Sequence, residues 1–550
     1  MTDLFDGYPL QQAFDEMLDR DGVLRSCYEQ VHGRLTHLTA DEVASRADAL
    51  ARSYLAQGVT FDFAGEERPF PLDVVPRVIE QDDWTDIALG VQQRVRALEA
   101  FLDDVYGAQQ AVKDGVVPQR LILSSSDFQR VAASIRPAGG VRCHVSGIDL
   151  IRDEAGRYRV LEDNVRVPSG VSYVVSNRRA MVRTFPELFG RLRVQPVVDY
   201  PQRLLAALVA SAPDGVPDPT VVVLTPGVYN SAYFEHSLLA RLLGVELVEG
   251  RDLYTKGGRV YMRTTEGSRR VDVIYRRVDD EWIDPVEFRG DSMLGVPGLV
   301  GAARLGNVTL ANAIGNGVAD DKLVYTYVPD LIRYYLAEEP VLANVDTWRL
   351  EEPEARAEVL DRLDELVVKP VDGSGGKGIV VGPQATRAEI DAVRKRIIED
   401  PRGWIAQPVV QLSTGPTFVD GAFRPRHLDL RPFAVNDGSD VWVLPGGLTR
   451  VALPEGQLVV NSSQGGGSKD TWVLEDGATP RPPVPTPAEA APPSARPAEP
   501  VAGVPRATNP DDTAANQQQQ QQQQVSTTPR VELVETRVST SSTTEGSIAC

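Results

Sequence analysis

The chain is poor in cysteine, in basic charge and in long apolar runs. Its three cysteines (Cys27, Cys143 and Cys550) lie far apart without a Cys-x-x-Cys pair, so neither a disulfide framework nor a zinc site is indicated. Lys and Arg number 57 against 77 Asp and Glu, and this net charge of −20 argues against nucleic-acid binding through a broad basic surface. No run approaches the roughly 18 apolar residues of a membrane span, and the acidic start lacks the apolar segment of a signal peptide. We therefore expect a cytoplasmic protein that makes no use of a membrane.

Aromatic residues are absent from residues 476–550, which hold 12 of the 40 prolines and eight consecutive glutamines, Gln517–Gln524. Such a segment buries too little apolar area to offset the entropy lost on ordering. The sequence therefore predicts a disordered C-terminal tail.

Upstream of the tail, the pattern is that of an α/β (α+β) protein. Apolar residues recur at helical spacing along Trp84–Val105, which predicts a helix that faces the core. Thr220–Leu224 has the composition of a buried strand, and a predicted helix at Ser231–Leu243 leads to a second strand at Val245–Val248. This β-loop-α-β order is typical of a parallel, Rossmann-like sheet.

Val367–Gly382 combines a strand, a glycine-rich loop and a second strand. The glycines of Gly373–Gly378 fit G-x-G-x-x-G, but a short β-branched segment follows where a dinucleotide fingerprint needs a helix. Walker A does not fit either, because Gly378 follows Lys377 where Ser or Thr is required. Two interpretations remain open. The loop is a hairpin whose N–H groups approach nucleotide phosphates, with Lys369 adding a charge, or it is an ordinary flexible turn.

Oxygen-bearing side chains cluster on a predicted hairpin further upstream. Its strands are Gly147–Arg152 and Tyr158–Glu162, and Asp149 lies on the first of them. Glu162 and Asn164 are two residues apart and so face one side. Carboxylate and amide oxygens suit Mg²⁺, although a solvated hairpin with scattered acids is the alternative.

Together the two clusters resemble ATP-grasp carboxylate–amine ligases, in which an Asp precedes Glu-x-Asn and an Asp-Lys pair opens the nucleotide-binding part. Here Asp321-Lys322 matches that pair. The order is reversed, since the Asp and Glu-x-Asn precede the nucleotide lysines. A circular permutation accounts for this, because domain termini often lie close together. The chain is thus similar, over most of residues 60–475, to the circularly permuted ATP-grasp type-2 family, whose wider group includes enzymes like glutathionylspermidine synthase and glutathione synthetase.

The resemblance implies which residues bind ATP and Mg²⁺. Lys322 and Lys369 would hold phosphate oxygens, and Gln407 and Val409 would meet the adenine, although many relatives carry Glu where Gln407 stands. The phosphate loop would consist of Gly373, Ser374, Gly375, Gly376, Lys377 and Gly378. The ligands of one or two Mg²⁺ would be Asp149, Glu162 and Asn164.

The resemblance also implies catalytic and substrate positions. Arg431 would stabilise charge on the transferring group, with Asp429 beside it on a half-buried strand. Arg166 and Ser169 fall where related ligases meet the acceptor. Arg276 or Arg277 could hold the acid substrate through a bidentate guanidinium. A buried Arg–Asp network that ties two domains together is the alternative for this pair.

The implied fold is a circularly permuted ATP-grasp fold with a Rossmann-like unit. Its expected parts are an N-terminal helical segment (1–60), a metal-binding portion (61–200), a Rossmann-like substrate domain (201–310), a nucleotide-binding portion (311–475) and the disordered tail (476–550).

The implied activity is ATP- and Mg²⁺-dependent joining of an acid to an amine or a peptide through an acylphosphate, with ADP and phosphate released. A kinase-like phosphotransferase and a nucleotide-binding scaffold remain alternatives. The resemblance further implies a functional link to alpha-E and transglutaminase-like proteins, and hence a role in peptide modification.

Overall fold

The structure is a computed structural model that describes residues 4–63, 66–372, 378–458, 460, 466–475 and 513–524. The helices are α1 (Glu29–Leu35), α2 (Ala40–Gln57), α3 (Gln81–Val105), α4 (Gln110–Lys113), α5 (Gln119–Leu123), α6 (Val171–Thr184), α7 (Pro186–Phe189), α8 (Tyr200–Ala210), α9 (Tyr233–Leu243), α10 (Asp280–Ile283), α11 (Leu299–Arg304), α12 (Gly317–Asp320), α13 (Lys322–Tyr325), α14 (Val328–Leu336), α15 (Pro353–Asp361), α16 (Arg387–Glu399) and α17 (Thr513–Gln524). In the part of the chain that is described, no helix is long and apolar enough to cross a membrane.

The strands form several separate sheets. They are β1 (Thr60–Phe63), β2 (Glu66–Pro69), β3 (Arg77–Ile79), β4 (Val145–Arg152), β5 (Tyr158–Asn164), β6 (Val221–Leu224), β7 (Glu246–Val248), β8 (Leu253–Lys256), β9 (Arg259–Thr264), β10 (Gly267–Val271), β11 (Val273–Arg276), β12 (Thr309–Ala311), β13 (Ala343–Asn344), β14 (Trp348–Arg349), β15 (Leu366–Pro370), β16 (Val380–Val381), β17 (Trp404–Pro408), β18 (Thr414–Val419), β19 (Ala422–Asn436), β20 (Val441–Val451), β21 (Gly467–Lys469) and β22 (Thr471–Val473).

The central sheet joins parts of the chain that are distant in sequence. Its order is β13-β5-β4-β19-β20-β21, with β18 also paired to β19. The early hairpin β4–β5 lies against the late strand β19, in antiparallel register with Leu150 opposite Leu430. Helix α3 packs Trp84, Ile87 and Val91 against this sheet, as its apolar stripe predicts. The metal-binding hairpin therefore sits beside strands that the chain makes more than half its length later.

A second, four-stranded sheet has the order β14-β17-β15-β16. Its strands are antiparallel, and Lys369 on β15 lies opposite Ile405 on β17. Apolar side chains of α15 and α16, among them Val359, Val393 and Ile397, bury one face of this sheet. Residues of this sheet and of the central sheet line the candidate site, which lies between the two sheets.

A third sheet has the order β12-β11-β6-β7, with parallel pairing throughout. The predicted β-loop-α-β unit is confirmed as β6, α9 and β7. From β6 the chain first adds β7 on one side and later adds β11 on the other. The loops that follow β6 and β11 therefore leave in opposite directions, which creates a crevice at the carboxyl ends of the two strands, where ligands of such sheets bind.

The tail differs from its prediction. The expectation of disorder across 476–550 is wrong for α17, where Thr513–Gln524 form a helix against the body. The prediction of disorder rested only on the lack of apolar side chains to bury. This helix is instead held through the side-chain amides of Gln521 and Gln522, each of which is 4% exposed. The rest of 476–550 lies outside the described residues.

Candidate active site

A cleft opens between the central sheet and the four-stranded sheet. Its polar end carries Asp149 and Glu162 from β4 and β5, and Lys322 from the start of α13. The four-stranded sheet contributes Lys369 and Gln407. Asp429 and Arg450, from β19 and β20, complete the polar end. Charged groups from the two distant sequence clusters thus meet at one place.

The other walls of the cleft are apolar. They are formed by Ile151, Leu161, Val345, Val367, Pro370, Ile379, Val381, Pro408, Val410, Leu412, Leu458 and Val460. Val410 lines the cleft, whereas Val409, its neighbour and the predicted contact, does not. An apolar slot that ends in a few charged groups is the usual form of a site for a small molecule with a flat ring and a polar tail.

Lys369 is placed by its strand and oriented by its neighbours. Its Nζ donates to Gln407 Oε1 at 2.6 Å, and Gln407 Nε2 donates to Thr347 Oγ1 at 2.9 Å. Burial, together with the nearby charge of Lys322, lowers the pKa of Lys369 to about 8, against the opposing charge of Glu162. Because Gln407 is neutral, Lys369 has no counter-ion at hydrogen-bond distance from this strand.

Lys322 lies near the acidic residues at the polar end of the cleft. It begins α13, whose N-cap Asp321 accepts a hydrogen bond from the Leu323 amide. Asp321 also forms an ion pair with Arg402, in which Arg402 Nη2 lies 2.5 Å from Asp321 Oδ2. The Lys322 Nζ lies 3.8 Å from Glu162 Oε2. The two residues of the predicted Asp-Lys pair therefore have different roles. Asp321 caps the start of α13, and Lys322 lines the cleft.

Asp149 is bound by two arginines. Arg431 Nη2 donates to its Oδ2 at 2.7 Å while Arg431 Nε donates to Oδ1. Arg450 Nη2 also donates to Asp149 Oδ2, at 2.6 Å. Burial by itself would raise the pKa of Asp149, but the charges of Arg431 and Arg450 outweigh it and hold that pKa below its usual range. Asp149 therefore stays ionised at neutral pH.

Asp429 is the second carboxylate of this chain of ion pairs. Arg450 Nε donates to its two oxygens at 3.0 and 2.9 Å. Burial raises the pKa of Asp429, and Arg450 offsets only part of that rise. Sequence reasoning missed Arg450, although Asp429 and Arg450 lie directly opposite in the β19–β20 pair. Predicting a strand at Val441–Val451 and pairing it with the strand of Asp429 as a hairpin would have found it.

The predicted Mg²⁺ ligands lie together on the β4–β5 hairpin. Asp149 is opposite Glu162 in the strand register, and Gly147 is opposite Asn164. Glu162 is partly exposed in the cleft, with Arg431 Nη2 at 3.7 Å from its Oε1. The buried Asn164 Nδ2 has no hydrogen-bond partner among the residues that the structure describes.

The side chains of Asp149, Glu162 and Asn164 offer oxygen atoms that could bind Mg²⁺. Among the described residues, no three His, Cys, Asp or Glu side chains gather as a metal-binding group, so the amide of Asn164 would be needed as a ligand. Two carboxylates and an amide are oxygen donors of the kind Mg²⁺ takes, with water and phosphate completing its shell. These three residues therefore fit a Mg²⁺ site, in which Asp149 would bind the ion while it also accepts hydrogen bonds from Arg431 and Arg450.

The predicted substrate residues are engaged in different ways. Arg166 lies 3.1 Å from Asp127, 3.7 Å from Asp279 and 3.8 Å from Asp320. Asp279 and the other acids raise the pKa of Arg166, against the effect of burial. Burial raises the pKa of Asp320 to about 7, although Arg166 opposes the rise. The region beside the predicted acceptor position is therefore acidic.

Ser169 takes part through its backbone. Its carbonyl oxygen accepts a hydrogen bond from Arg431 Nη1 at 3.2 Å. This contact ties the segment that follows β5 to the arginine that holds Asp149.

Arg276 and Arg277 are buried in hydrogen-bond networks. Arg276 donates to the carbonyls of Asn312 and Ala313 and pairs with Asp280 at 2.8 Å. Arg277 pairs with Glu235 at 3.0 Å. These contacts favour the alternative interpretation, in which the two arginines tie domains together. Sequence reasoning missed Glu235, whose partners come from distant segments.

Arg277 and Glu235 nevertheless connect to the cleft. Arg277 Nη1 donates to the carbonyl of Pro168 at 2.8 Å, and Glu235 Oε2 accepts from the Gly170 amide at 2.7 Å. This network fixes the backbone on both sides of Ser169. The network therefore reaches the cleft indirectly, through the Ser169 carbonyl, Arg431 and Asp149.

Part of the predicted phosphate loop cannot be placed. Gly373, Ser374, Gly375, Gly376 and Lys377 lie outside the described residues, and so does most of the glycine-rich stretch before β21. Gly378, which ends the predicted loop, has φ +75°, a conformation that favours glycine.

This cleft between two sheets, with charged groups at one end, belongs to an ATP-grasp architecture. The chain belongs to the circularly permuted ATP-grasp type 2 family, which matches residues 76–452. The family resemblance seen in the sequence is thus confirmed. The order of β4 and β5 before β15 and β19 is the structural form of the permutation.

Relatives extend over most of the chain. An uncharacterised protein of Mycobacterium tuberculosis is 62% identical over 480 residues, which is 86% of this chain and 87% of that protein. A Frankia casuarinae protein with the name "Putative glutamate--cysteine ligase 2-2" is 46% identical over 466 residues, covering 84% of this chain but 54% of that longer protein.

One solved structure is similar in fold. It is a glutathione synthetase like-effector from Globodera pallida in apoform, with a TM-score of 0.53 and 10% identity. The match covers 80% of this chain and 98% of that one. At this identity the similarity concerns the fold alone, and it agrees with the ATP-grasp fold class predicted from the sequence.

Proposed function

We propose that this protein is an ATP- and Mg²⁺-dependent carboxylate–amine ligase that acts through an acylphosphate. The observation that carries the proposal is the meeting of Lys322, Lys369, Glu162, Asp149 and Arg450 at the end of one apolar cleft. Family membership and the ligase name of the Frankia relative support the same reaction class.

The first step transfers a phosphoryl group. An oxygen of the substrate carboxylate attacks the γ-phosphorus of ATP, a bond forms between them, and ADP leaves with the electrons of the broken P–O bond. Such transfers ask the protein mainly to position groups and neutralise charge. Lys322 and Lys369 both line the cleft and would hold phosphate oxygens there.

Glu162 and Asn164, with Asp149, would hold Mg²⁺, which supplies charge neutralisation for the phosphates when bound. The arginine pair keeps Asp149 ionised, so this carboxylate needs no deprotonation before it can act. Arg431 lies beside Glu162 and is anchored by the Ser169 carbonyl. Its guanidinium would stabilise negative charge on the acylphosphate and on the tetrahedral intermediate.

The second step forms the amide. The amine nitrogen attacks the acyl carbon, phosphate leaves with the electrons of the C–O bond, and the nitrogen gives up a proton. The carboxylates around Arg166 give the acceptor side an excess of negative charge. A cationic amine is therefore the substrate class that this side favours, for example an amino acid or a polyamine.

The test is Mg²⁺-dependent release of ADP and phosphate with a pool of amino acids (including glutamate and cysteine), short peptides and polyamines. An acid–amine pair that stimulates release, with an amide product detected by mass spectrometry, supports the ligase. Glu162→Gln serves as the inactive control. ADP release that needs the acid but no amine would instead favour a phosphotransferase. ATP binding without turnover under every combination would favour a nucleotide-binding scaffold.

ATP affinity should fall at alkaline pH because Lys369 loses its proton there. A lysine is charged below its pKa, so the free protein presents a cation well below pH 8 and mostly a neutral amine at pH 9. We expect ATP to bind about tenfold more weakly at pH 9 than at pH 7, with uptake of nearly one proton on binding at pH 9 and little uptake at pH 7. Calorimetry in buffers of different ionisation enthalpy measures both quantities.

Gln407→Glu provides the matched control for this pH effect. A carboxylate in place of the Gln407 amide would raise the pKa of Lys369, so the alkaline loss of affinity should disappear between pH 7 and 9. An unchanged pH profile in this variant would show that another group causes the titration.

A further inference from the structure

The crevice at the carboxyl ends of β6 and β11 holds a segment of the chain itself. Helix α17 lies across it, although α17 lies in the segment predicted to be disordered. Two consecutive glutamines make the contacts, and each contacts a different wall. Gln521 contacts the segment between α10 and α11, which follows β11 in the chain, and Gln522 contacts the loop after β6.

Gln521 is recognised through both ends of its side-chain amide. Its Nε2 donates to the Asp291 carbonyl at 2.7 Å, and its Oε1 accepts from the Met293 amide at 2.7 Å. This pairing needs a donor and an acceptor on one planar group, which a primary carboxamide provides and a carboxylate does not. The backbone of Asp291–Met293 therefore forms a carboxamide clamp.

Gln522 lies directly on the opposite loop. Its Oε1 accepts from the Tyr229 amide at 3.3 Å, and its backbone carbonyl accepts from Asn230 Nδ2 at 3.4 Å. Gly227 has φ +123°, and a Cβ on it would collide with the Gln522 amide. The absence of a side chain at Gly227 thus makes room for the glutamine.

The burial of these amides requires such partners. A buried amide without hydrogen bonds is costly, so Gln521 and Gln522 would not remain buried on a surface that offered none. A helix of this length is also marginally stable by itself in water. The bonds from the two loops therefore supply what the glutamine run lacks.

We propose that the crevice between the β6 and β11 loops is a binding site for glutamine side-chain carboxamides, and that α17 occupies it in cis. The ligand class is a helical, glutamine-rich peptide, read by backbone groups on both walls. This site is distinct from the nucleotide cleft, and its existence does not depend on the ligase reaction. The Arg277–Glu235 pair, which holds Pro168 and Gly170, makes none of the described contacts with Gln521 or Gln522.

Hydrogen exchange of the full chain tests the proposal. The Met293 and Tyr229 amides are protected by the glutamines, so Gln521→Glu combined with Gln522→Glu should speed exchange at both by about tenfold or more. The matched control combines Gln517→Glu with Gln520→Glu, because these residues are on the same helix but exposed. It makes the same change in charge and should leave exchange at both loops as in the unchanged chain.

Rescue in trans tests recognition itself. A synthetic peptide of residues 513–524, added to the Gln521→Glu, Gln522→Glu chain, should restore protection of both loops, whereas a peptide carrying the same two substitutions should not. Equal exchange in the docking and control variants would overturn the site. Protection that depends on protein concentration would overturn occupation in cis, because it would place the tail of a second copy in the crevice.

Discussion

Glu162→Gln should abolish turnover while leaving the fold nearly unchanged. Glu162 is partly exposed in the cleft, 3.8 Å from Lys322 and 3.7 Å from Arg431. Loss of its charge removes a proposed Mg²⁺ ligand at the point where phosphate charge must be neutralised. We expect ATP turnover to drop by about 10²–10³-fold. The free energy of unfolding should change by about 0.5 kcal/mol or less, as for other exposed substitutions.

Asp163→Asn, at the next residue along β5, should destabilise the fold while leaving turnover nearly unchanged. Asp163 faces the other side of the strand, is buried, and binds Arg94 through both oxygens at 2.5 and 2.8 Å. Leaving a buried guanidinium without its counter-charge costs about 3–5 kcal/mol. At a temperature where the variant is still folded, its turnover should be close to that of the unchanged chain.

Urea denaturation and ADP release, measured on both variants, separate the two roles. A folded Asp163→Asn protein as inactive as Glu162→Gln would contradict the assignment of the two strand faces. So would Glu162→Gln with full Mg²⁺-dependent turnover.

Lys369→Met should be the largest single loss of nucleotide affinity. The substitution keeps the length and apolar stem of the side chain but removes a buried cation aimed into the cleft. A hydrogen bond to a charged group contributes about 1.5–3 kcal/mol, which corresponds to about 10- to 150-fold in the dissociation constant for ATP. The variant should also lose the dependence of affinity on pH, because no group with a pKa near 8 remains on this strand.

Calorimetric titration with ATP measures this loss, and Lys395→Met is its control. Lys395 has a side chain 78% exposed on α16, so its removal changes the net charge equally without touching the cleft. Unchanged ATP affinity in Lys369→Met would remove Lys369 from the phosphate site. Equal losses in the two variants would mean that net charge, and not position, controls binding.

Much of the cleft could be predicted from local patterns. Glu162 and Asn164 had to share a face because side chains alternate along a strand, and Lys369 had to lie on a strand beside the glycine loop. That the two clusters meet came from the family resemblance, since no local pattern reports on contacts between distant segments.

Three features escaped the sequence because they are contacts between distant segments. Arg450 binds Asp149 only because β20 pairs with β19 and β19 pairs with β4. For Arg277 the sequence left open a carboxylate site or a buried network with Asp, and it did not indicate Glu235, which α9 brings against it. The glutamine run has no apolar pattern, and its burial depends on backbone groups of two loops that the composition of the tail does not indicate.

The sequence by itself determined the strands that carry Asp149, Glu162 and Lys369, the helical stripe of α3 and the chemical types of the cleft residues, because periodicity and residue chemistry are local properties. Only the tertiary structure decided which groups become hydrogen-bond or ion-pair partners. Asp149 is bound by two arginines, Lys369 faces a neutral amide, and Gln521 finds a backbone clamp. Hydrogen-bond partners and pKa shifts depend on distance and burial, and folding fixes both.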